Sequence, residues 1–583
     1  MSHPTALALA LSLYLFVAAA YYGLGKGVAR VLGMAAGSDK PAHSVMSLIW
    51  LGWACALFLF QLLHFFLPIA SQVSLPVFSA GALCCLVCLA RGGRRPSPSG
   101  SCTPVPVAGA ILMLVLASWL VSRAMLPPTN YDTGLYHLNA IRWINTYPVV
   151  PGLGNLHGRL AFNQSFFTFA ASLTVPPVFE HGRFLGNALL FLFVAATAWT
   201  SLTPVLRRPS LIVEAHPFRF LPSLFLLPVL AFIAISSNGI ASPAPDLASL
   251  LLQCCIFLLL GEGIADWQDG HQDQDYRVML LLLLASAAVT VKLSNLAFSS
   301  VIVCFAVAYW LKTRGRTIRS GFTLFTPPLL MFLVWAGQGV MLSGVPLYPS
   351  TAGRLPVDWA VPVERIVSEA QSVYSWARTP GASPKDVLHN WGWFRPWLVR
   401  VATGNVLDVT YPLLQFLFFG ICALIAGLFS KVRRRNLLQW AYLVPAVMSL
   451  VFWFCTAPDP RFANAAFFLL SIASALVFLC SVQGLLSSRL YADMICLVFL
   501  IGNLLLVRHL VYNASEIRAI STSGWHQVQR VALETRKTSS GLTVYTPCEG
   551  DQCWDSALPS TPYFNPHLRL RERNSVASGF TVM

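Results

Sequence analysis

The chain is 583 residues long, 56% apolar, and only 11% Asp, Glu, Lys and Arg, against about 25% charged residues in an ordinary soluble protein. With a mean hydropathy of +0.64, this excludes a large soluble core and points to an all-α polytopic membrane protein. The net charge of +16 comes with no zinc-finger spacing, P-loop or basic helix, so nucleic acid is set aside as a partner; cytoplasmic loops of membrane proteins collect Lys and Arg.

Apolar runs near 5–23, 44–67, 76–90, 105–124, 184–205, 220–238, 241–262, 277–291, 294–311, 322–343, 410–429, 437–456, 462–484 and 489–507 predict about fourteen transmembrane helices, each near the ~20 residues that cross a bilayer. The first run has no basic flank or clear cleavage site ahead of it and is read as a retained helix. The segment 161–178, with Asn163, Gln164 and a Pro pair, is too broken to span and is read as a helix lying at the interface. The expected organisation is N-terminal transmembrane helices over 1–104, a transmembrane core over 105–510 with outer loops 125–183 and 344–408, and a small outer C-terminal segment over 511–583.

Sidedness follows from the short basic runs at 91–95, 207–210, 312–319 and 431–435, which the helix order places on one, cytoplasmic, side. The acidic loop 266–277 falls there too and fits less well. Everything else of chemical interest lands on the opposite face.

There, "NYDTGLYH" sets Asn130, Tyr131, Asp132, Tyr136 and His137 together. Leu135, Leu138, Ile141 and Ile144 then fit an amphipathic helix lying on the membrane. Asp132 either caps that helix or serves as a general base or metal ligand. His137, Arg159 and Asn163 are candidate cleft-lining residues, each with a structural alternative. Asp246, in the "SPAPD" turn, suits a helix N-terminus or a second acid facing the same cleft. Lys292, between two apolar runs, is a functional suspect at a membrane face unless it reaches for lipid headgroups. Asp459 and Arg461, in "APDPRF", form either a structural pair or a phosphate-binding fork. Trp359, Trp391, Trp393 and Trp397 suit an interfacial aromatic belt or a sugar-stacking surface. Twelve of the 14 cysteines lie in or beside apolar runs; Cys548 and Cys553, in the polar tail, are a candidate disulfide on the outer side.

This order of features resembles the glycosyltransferase-C (GT-C) superfamily of membrane enzymes, over about residues 105–510: an outer loop with an acidic residue, an interfacial helix, an outer "SP..D" turn, a lysine between two helices, then an outer arginine. The stretches "NYDTGLYHLNAIRWINTYPVVPGLGNLHGRLAFNQS", "TVKLSNLAF" and "GDQCWDSALPSTPYFNPHLRLR" also look like a family of large bacterial inner-membrane proteins. The GT-C resemblance implies a helical bundle that uses a polyprenyl-phosphate-linked sugar as donor and a glycan, lipid or protein as acceptor. It puts Asp132 in the place of the catalytic acid and Asp246 in that of a later acid. It puts Lys292 and Arg461 where residues that hold the phosphate are expected; Tyr131, His137, Arg159, Asn163 and Asp459, read from the residues themselves, are the further candidates for lining the substrate site. A divalent metal is compatible with it, and the C-terminus would be periplasmic. A polytopic transporter or flippase, or a non-catalytic envelope-assembly protein, are the alternatives.

Overall fold

The computed structural model describes residues 2–34, 43–91, 104–176, 179–270, 275–312, 317–429, 436–517 and 520–582. The protein is an all-α polytopic membrane protein. A helix stands at each of the fourteen apolar runs: α1 (His3–Val31), α2 (Val45–His64), α3 (Ser71–Arg91), α4 (Pro104–Ala124), α5 (Gly186–Arg207), α6 (Pro217–Ser236), α7 (Pro245–Gln268), α8 (Asp275–Val291), α9 (Leu296–Lys312), α10 (Ile318–Ser343), α11 (Tyr411–Phe429), α12 (Val444–Thr456), α13 (Ala466–Val482) and α14 (Ser488–Tyr512). Among the described residues, 12 helices are long and apolar enough to cross a membrane. α9 and α12 reach that length together with the turns that precede them, as Leu293–Lys312 and Gln439–Thr456, whereas α8 and α13 stop at 17 residues each.

Local chemistry sets the ends of these helices. Ser44 and Ser487 accept hydrogen bonds from the first turns of α2 and α14. Thr317 and Ser320 form a reciprocal capping box on α10, which ends at Gly344 with φ 77°. Proline at the first turn opens α1, α6 and α7, where its missing N–H is not needed. Burial separates the centre from the rim: 83% of the apolar window of α7 is buried inside the protein, against 28% for α14. A helix that is apolar all round and buried all round is a core helix, so α7 is the axis of the bundle.

The loops meet on two separate faces. On one, Ile69 N–H donates to the Ile144 carbonyl at 2.9 Å, and Asn187 donates to the carbonyls of Gly239, Ser242 and Ala244 at 2.9, 2.9 and 3.0 Å. On the other, Gln483 reaches the carbonyls of Val213 and Ala215. The acidic loop finds its charges matched there: Asp266 and Asp269 pair with Arg219, and Asp266 also with Arg277. Residues 92–95, 271–274, 313–316 and 431–435 of the basic and acidic runs lie outside the described residues.

Two expectations for the 125–185 loop need correction. Thr133–His137 is a π-helical turn leading into a helix over Leu138–Thr146, a geometry often found at functional sites. Leu138 and Ile141 are fully buried, and the opposite side, with Asn139 and Arg142, is covered by the C-terminal tail. This helix is sandwiched rather than laid on lipid. Likewise Ser165–Ser172 is an eight-residue helix buried along its whole length. Its Ser165 hydroxyl meets that of Thr290 in α8 at 2.9 Å. It is a plug inside the bundle, too short to span and too buried to lie at an interface.

The tail holds two antiparallel strand pairs, β1 (Leu533–Lys537) with β2 (Thr543–Pro547) and β3 (Leu568–Leu570) with β4 (Phe580–Val582). Val544, Leu568 and Phe580 join the main apolar core, so the tail is docked on the bundle. Cys548 and Cys553 are free thiols, one exposed and one buried, and not a disulfide. Cys548 directly follows β2 with its sulfur outward, while Cys553 is 1% exposed, so the two thiols face different surroundings.

Candidate functional site

Asp132 does not cap the helix that follows it. It stands at the N-cap position of the π turn with no side-chain cap bond; instead Asn130 Oδ1 accepts the Asp132 N–H at 3.0 Å. The carboxylate reaches sideways to two guanidiniums. Oδ1 accepts from Arg159 Nη1 at 3.0 Å and Oδ2 from Arg461 Nη1 at 3.2 Å.

Each arginine is held by its own local device. Arg159 rides on a 3-10 turn, Gly158–Phe162, that ends at Asn163 in the left-handed region with φ 51°. Asn163 donates to the Trp335 carbonyl at 2.6 Å, and Trp335 Nε1 returns a bond to the Asn163 carbonyl at 2.5 Å. Asn163 is therefore a clamp onto α10. Arg461 rides on a second 3-10 turn, Pro460–Ala463, capped by Asp459, whose Oδ1 accepts the Arg461 N–H at 3.1 Å. Two indoles hold that turn: Trp397 Nε1 donates to the Pro458 carbonyl at 2.6 Å and Trp453 Nε1 to that of Asp459 at 2.7 Å. Trp393 and Trp397 are thus buried in an aromatic cluster under the site. Trp359 Nε1 donates to the Val340 carbonyl at 2.9 Å, and only Trp391, at 70% exposed, is positioned as a belt residue would be.

A second ion pair adjoins the first. Lys292 Nζ contacts Asp246 Oδ1. The N-cap of α7 is Ala244 and carries no side-chain cap bond, so Asp246 acts as the lysine's counter-charge in the first turn of α7. Lys292 lies 4.4 Å from the Phe462 ring centre and the Arg461 guanidinium 4.6 Å from the same ring. One phenyl ring therefore links both pairs. The turn below is fixed by Asn295, which donates to Ser249 Oγ at 2.6 Å and accepts from Gln253 at 2.9 Å.

The structure also supplies a carboxylate that the sequence reading missed. Glu369, on the helix Val363–Arg378, places Oε1 3.6 Å from Arg159 Nε, so Arg159 bridges two carboxylates. Its position three residues after the buried Ile366 was the available signal, since i and i+3 share a helix face. Burial pushes the Glu369 carboxyl above its ordinary 4.5, against the pull of Arg159 and Arg365. A raised carboxyl binds its proton more tightly in the folded than in the unfolded protein. Stability contributed by this group is therefore present at acid pH and lost as pH rises from about 4.5 through the folded value. Glu369→Gln is expected to remove that fall, giving a flatter pH dependence of the unfolding midpoint between pH 4 and 7. An unaltered profile would rule the assignment out.

The tail roofs this basin. Tyr131 donates its hydroxyl to Asp551, and that hydrogen bond pushes the Tyr131 phenol up to about 12. Trp554 N–H donates to the Gly134 carbonyl at 2.7 Å, with its indole so close that a Cβ on Gly134 would lie 2.6 Å from Trp554 Cε2. Gly152, with φ 64°, sits under the Phe580 carbonyl in the same way. Asp555 takes both Arg183, at 2.6 Å, and Arg142, at 3.4 Å. Asp555→Ala leaves Arg183 half-buried without its counter-charge, which costs about 2–3 kcal/mol. The expected result is tail release, read as roughly 30- to 150-fold faster proteolysis within 520–531. Unchanged cleavage would mean that Asp555 does not anchor the tail.

His137 and His157 do not belong to the basin's reactive surface. Both are buried, 1% and 2% exposed, and burial pushes each imidazole down to about 3. His137 packs edge-on to Tyr136 and against Phe167, with ring centres 4.6 and 5.3 Å apart. Among the described residues no group of three His, Cys, Asp or Glu could hold a metal ion, and the oxygens of Asp132 face guanidiniums. These residues do not fit a divalent cation. Of the residues singled out by sequence, Asp132, Arg159, Asp459 and Arg461 meet directly, with Asp246 and Lys292 one ring away; Tyr131 belongs to the roof.

No curated protein and no solved structure matches this chain. A family model described as Domain of unknown function (DUF8201) matches residues 7–469, which span well over half of the chain and contain Asp132, Arg159, Asp246, Lys292, Glu369 and Arg461. The chain belongs to the family described as Domain of unknown function (DUF8201).

Proposed function

We propose that the protein is a bacterial inner-membrane glycosyltransferase of the GT-C kind. It transfers a sugar from an undecaprenyl-phosphate-linked donor to a cell-envelope glycan, lipid or protein at the periplasmic face, where the C-terminal segment also lies. The observation that carries this reading is the convergence of one acid with two arginines, and of a lysine–aspartate pair beside them, on the loop face of a membrane bundle. A lipid-linked donor needs a cationic pocket for its phosphate at the membrane surface, and its acceptor needs a proton acceptor nearby. In the reaction the bond from sugar C1 to the phosphate oxygen breaks and its electron pair stays on the phosphate. The acceptor oxygen forms the new bond to C1, and the acceptor proton passes to Asp132. Arg461 and Arg159 meet the charge that grows on the departing phosphate. In the spanning helices the charged residues, Lys26, Arg30, Glu262, Asp493 and Arg508 among them, lie within about two turns of a helix end, which suits surface chemistry better than a path through the bilayer.

One observation favours the non-catalytic reading: both Asp132 oxygens already have partners, as they would in a purely structural network. The test is a vesicle assay. Purified protein with an undecaprenyl-phosphate-linked sugar and an envelope acceptor is expected to release undecaprenyl phosphate, and deletion of the gene to remove a sugar from the envelope glycan profile. An unchanged profile in the deletion strain, with no lipid phosphate released in vitro, would leave the assembly-protein reading standing.

A further inference from the structure

The cations on the loop face differ in what they hold. Lys292 is matched by Asp246, Arg142 and Arg183 by Asp555, and Arg571 by Asp358. Arg365 donates to the Asn155 carbonyl at 3.2 Å. Arg142 and Arg183 take one oxygen each of Asp555; Arg159 and Arg461 take one oxygen each of Asp132, and they differ from that pair in having a second carboxylate each, Glu369 and Asp459. They come from turns about 300 residues apart in sequence, at positions 159 and 461, each fixed independently of the other. Two guanidinium forks aimed at one point are the arrangement that binds a phosphate, whose free oxygens, two in the diester of a lipid-linked sugar and three in the released monoester, can each take a fork.

Access is graded across the same three groups. Arg461 is 43% exposed, Arg159 29% and Asp132 13%. An anion arriving from the loop face meets Arg461 first and the carboxylate last. Neither arginine depends on Asp132 alone: Arg461 keeps Asp459, with Nε 3.8 Å from Oδ1, and Arg159 keeps Glu369. The carboxylate can therefore leave without stranding either cation.

We infer that Arg159 and Arg461 form an anion-binding site that Asp132 fills in the ligand-free protein, and that an incoming phosphate group displaces the carboxylate. The inference rests on the glycosyltransferase reading only for the class of ligand, a phosphate carried on an isoprenoid chain. It adds an order of events. While Asp132 is held, neither of its oxygens faces an acceptor hydroxyl. Once phosphate holds the guanidiniums, both oxygens come free. Donor binding thus precedes and enables proton removal from the acceptor, and Asp132 competes with the donor's phosphate for the arginines.

Competition gives a signature that neither a plain catalytic base nor a structural ion pair would give. The probe is farnesyl phosphate, titrated into the full-length protein in lipid nanodiscs, with inorganic phosphate and uncharged farnesol as separate arms. Asp132→Asn removes the resident charge and is expected to bind farnesyl phosphate about tenfold tighter than wild type. Arg461→Gln is expected to bind it at least tenfold more weakly, and farnesol should bind all three proteins alike. Tight binding of inorganic phosphate as well would identify a free-anion site rather than a lipid-headgroup site. Unchanged or weaker binding by Asp132→Asn, while wild type binds, overturns the displacement and leaves the glycosyltransferase reading intact. Failure of wild type and Asp132→Asn alike to bind either phosphate probe sinks both. If Asp132→Asn does not accumulate, Arg461→Gln decides alone: binding equal to wild type would overturn the site.

Discussion

Asp132→Asn is expected to lower the rate of sugar transfer by roughly 10²–10⁴-fold, the usual contribution of a positioned general base, with the protein present at its normal level. The amide is nearly the same size as the carboxylate and keeps one oxygen that can accept from Arg159 or Arg461. Arg159 retains Glu369 and Arg461 retains Asp459, so neither arginine is left without a counter-charge. What the amide cannot do is take a proton. Release of undecaprenyl phosphate from a lipid-linked sugar in vesicles reads the effect, and a rate equal to wild type would exclude Asp132 as the base. Alongside the displacement of Asp132 by phosphate, this variant should show turnover falling while donor affinity rises. Loss of a merely structural contact does not separate those two quantities.

Lys292→Met carries the largest expected stability effect, a loss of about 3 kcal/mol. Lys292 and Asp246 are 14% and 24% exposed, so water compensates little when one partner goes. The dipole of α7 favours a carboxylate in its first turn and offsets a part of the cost. The second change, Asp246→Leu in the Lys292→Met background, removes the stranded charge and should recover most of the loss. Thermal unfolding of the two single variants and the double variant in one detergent gives the coupling. A single variant as stable as wild type would show that the pair contributes nothing net.

The fourteen helices were legible because each is a run of apolar residues close to bilayer length, with polar loops between. The important charges were legible for a related reason: in so apolar a chain, Asp132, Asp246, Lys292 and Arg461 stand out. Their partners were not. Asp132 and Asp246 each sit at the start of a helix, where capping is the natural local reading. The structure gives the cap beside Asp132 to Asn130 and leaves α7 without a side-chain cap. Both acids instead answer to cations from elsewhere: Arg461 is 329 residues from Asp132 and Lys292 is 46 from Asp246. Periodicity reads neighbours three or four residues apart and is blind to such distances. The same limit hid the work of Trp393 and Trp397, which look like a membrane belt by composition but pack in the cluster beneath the Asp459 turn, with Trp397 donating to its Pro458 carbonyl. The basin's roof was hidden too, since nothing in "DTGLYH" reveals that Gly134 is small to admit Trp554.

That roof has a consequence for biosynthesis. Tyr131 and Asp551 are 420 residues apart, and the helices α5 to α14 are made between them. At about 5–20 residues per second, roughly 20–80 s of translation separate the two. For that interval the nascent 125–185 loop stands without its cover, with Asn139, Arg142 and the Gly134 surface open to whatever shares the compartment. Contacts so distant along the chain close late. A newly made molecule therefore passes through a stage in which the bundle is inserted and the basin is still unroofed.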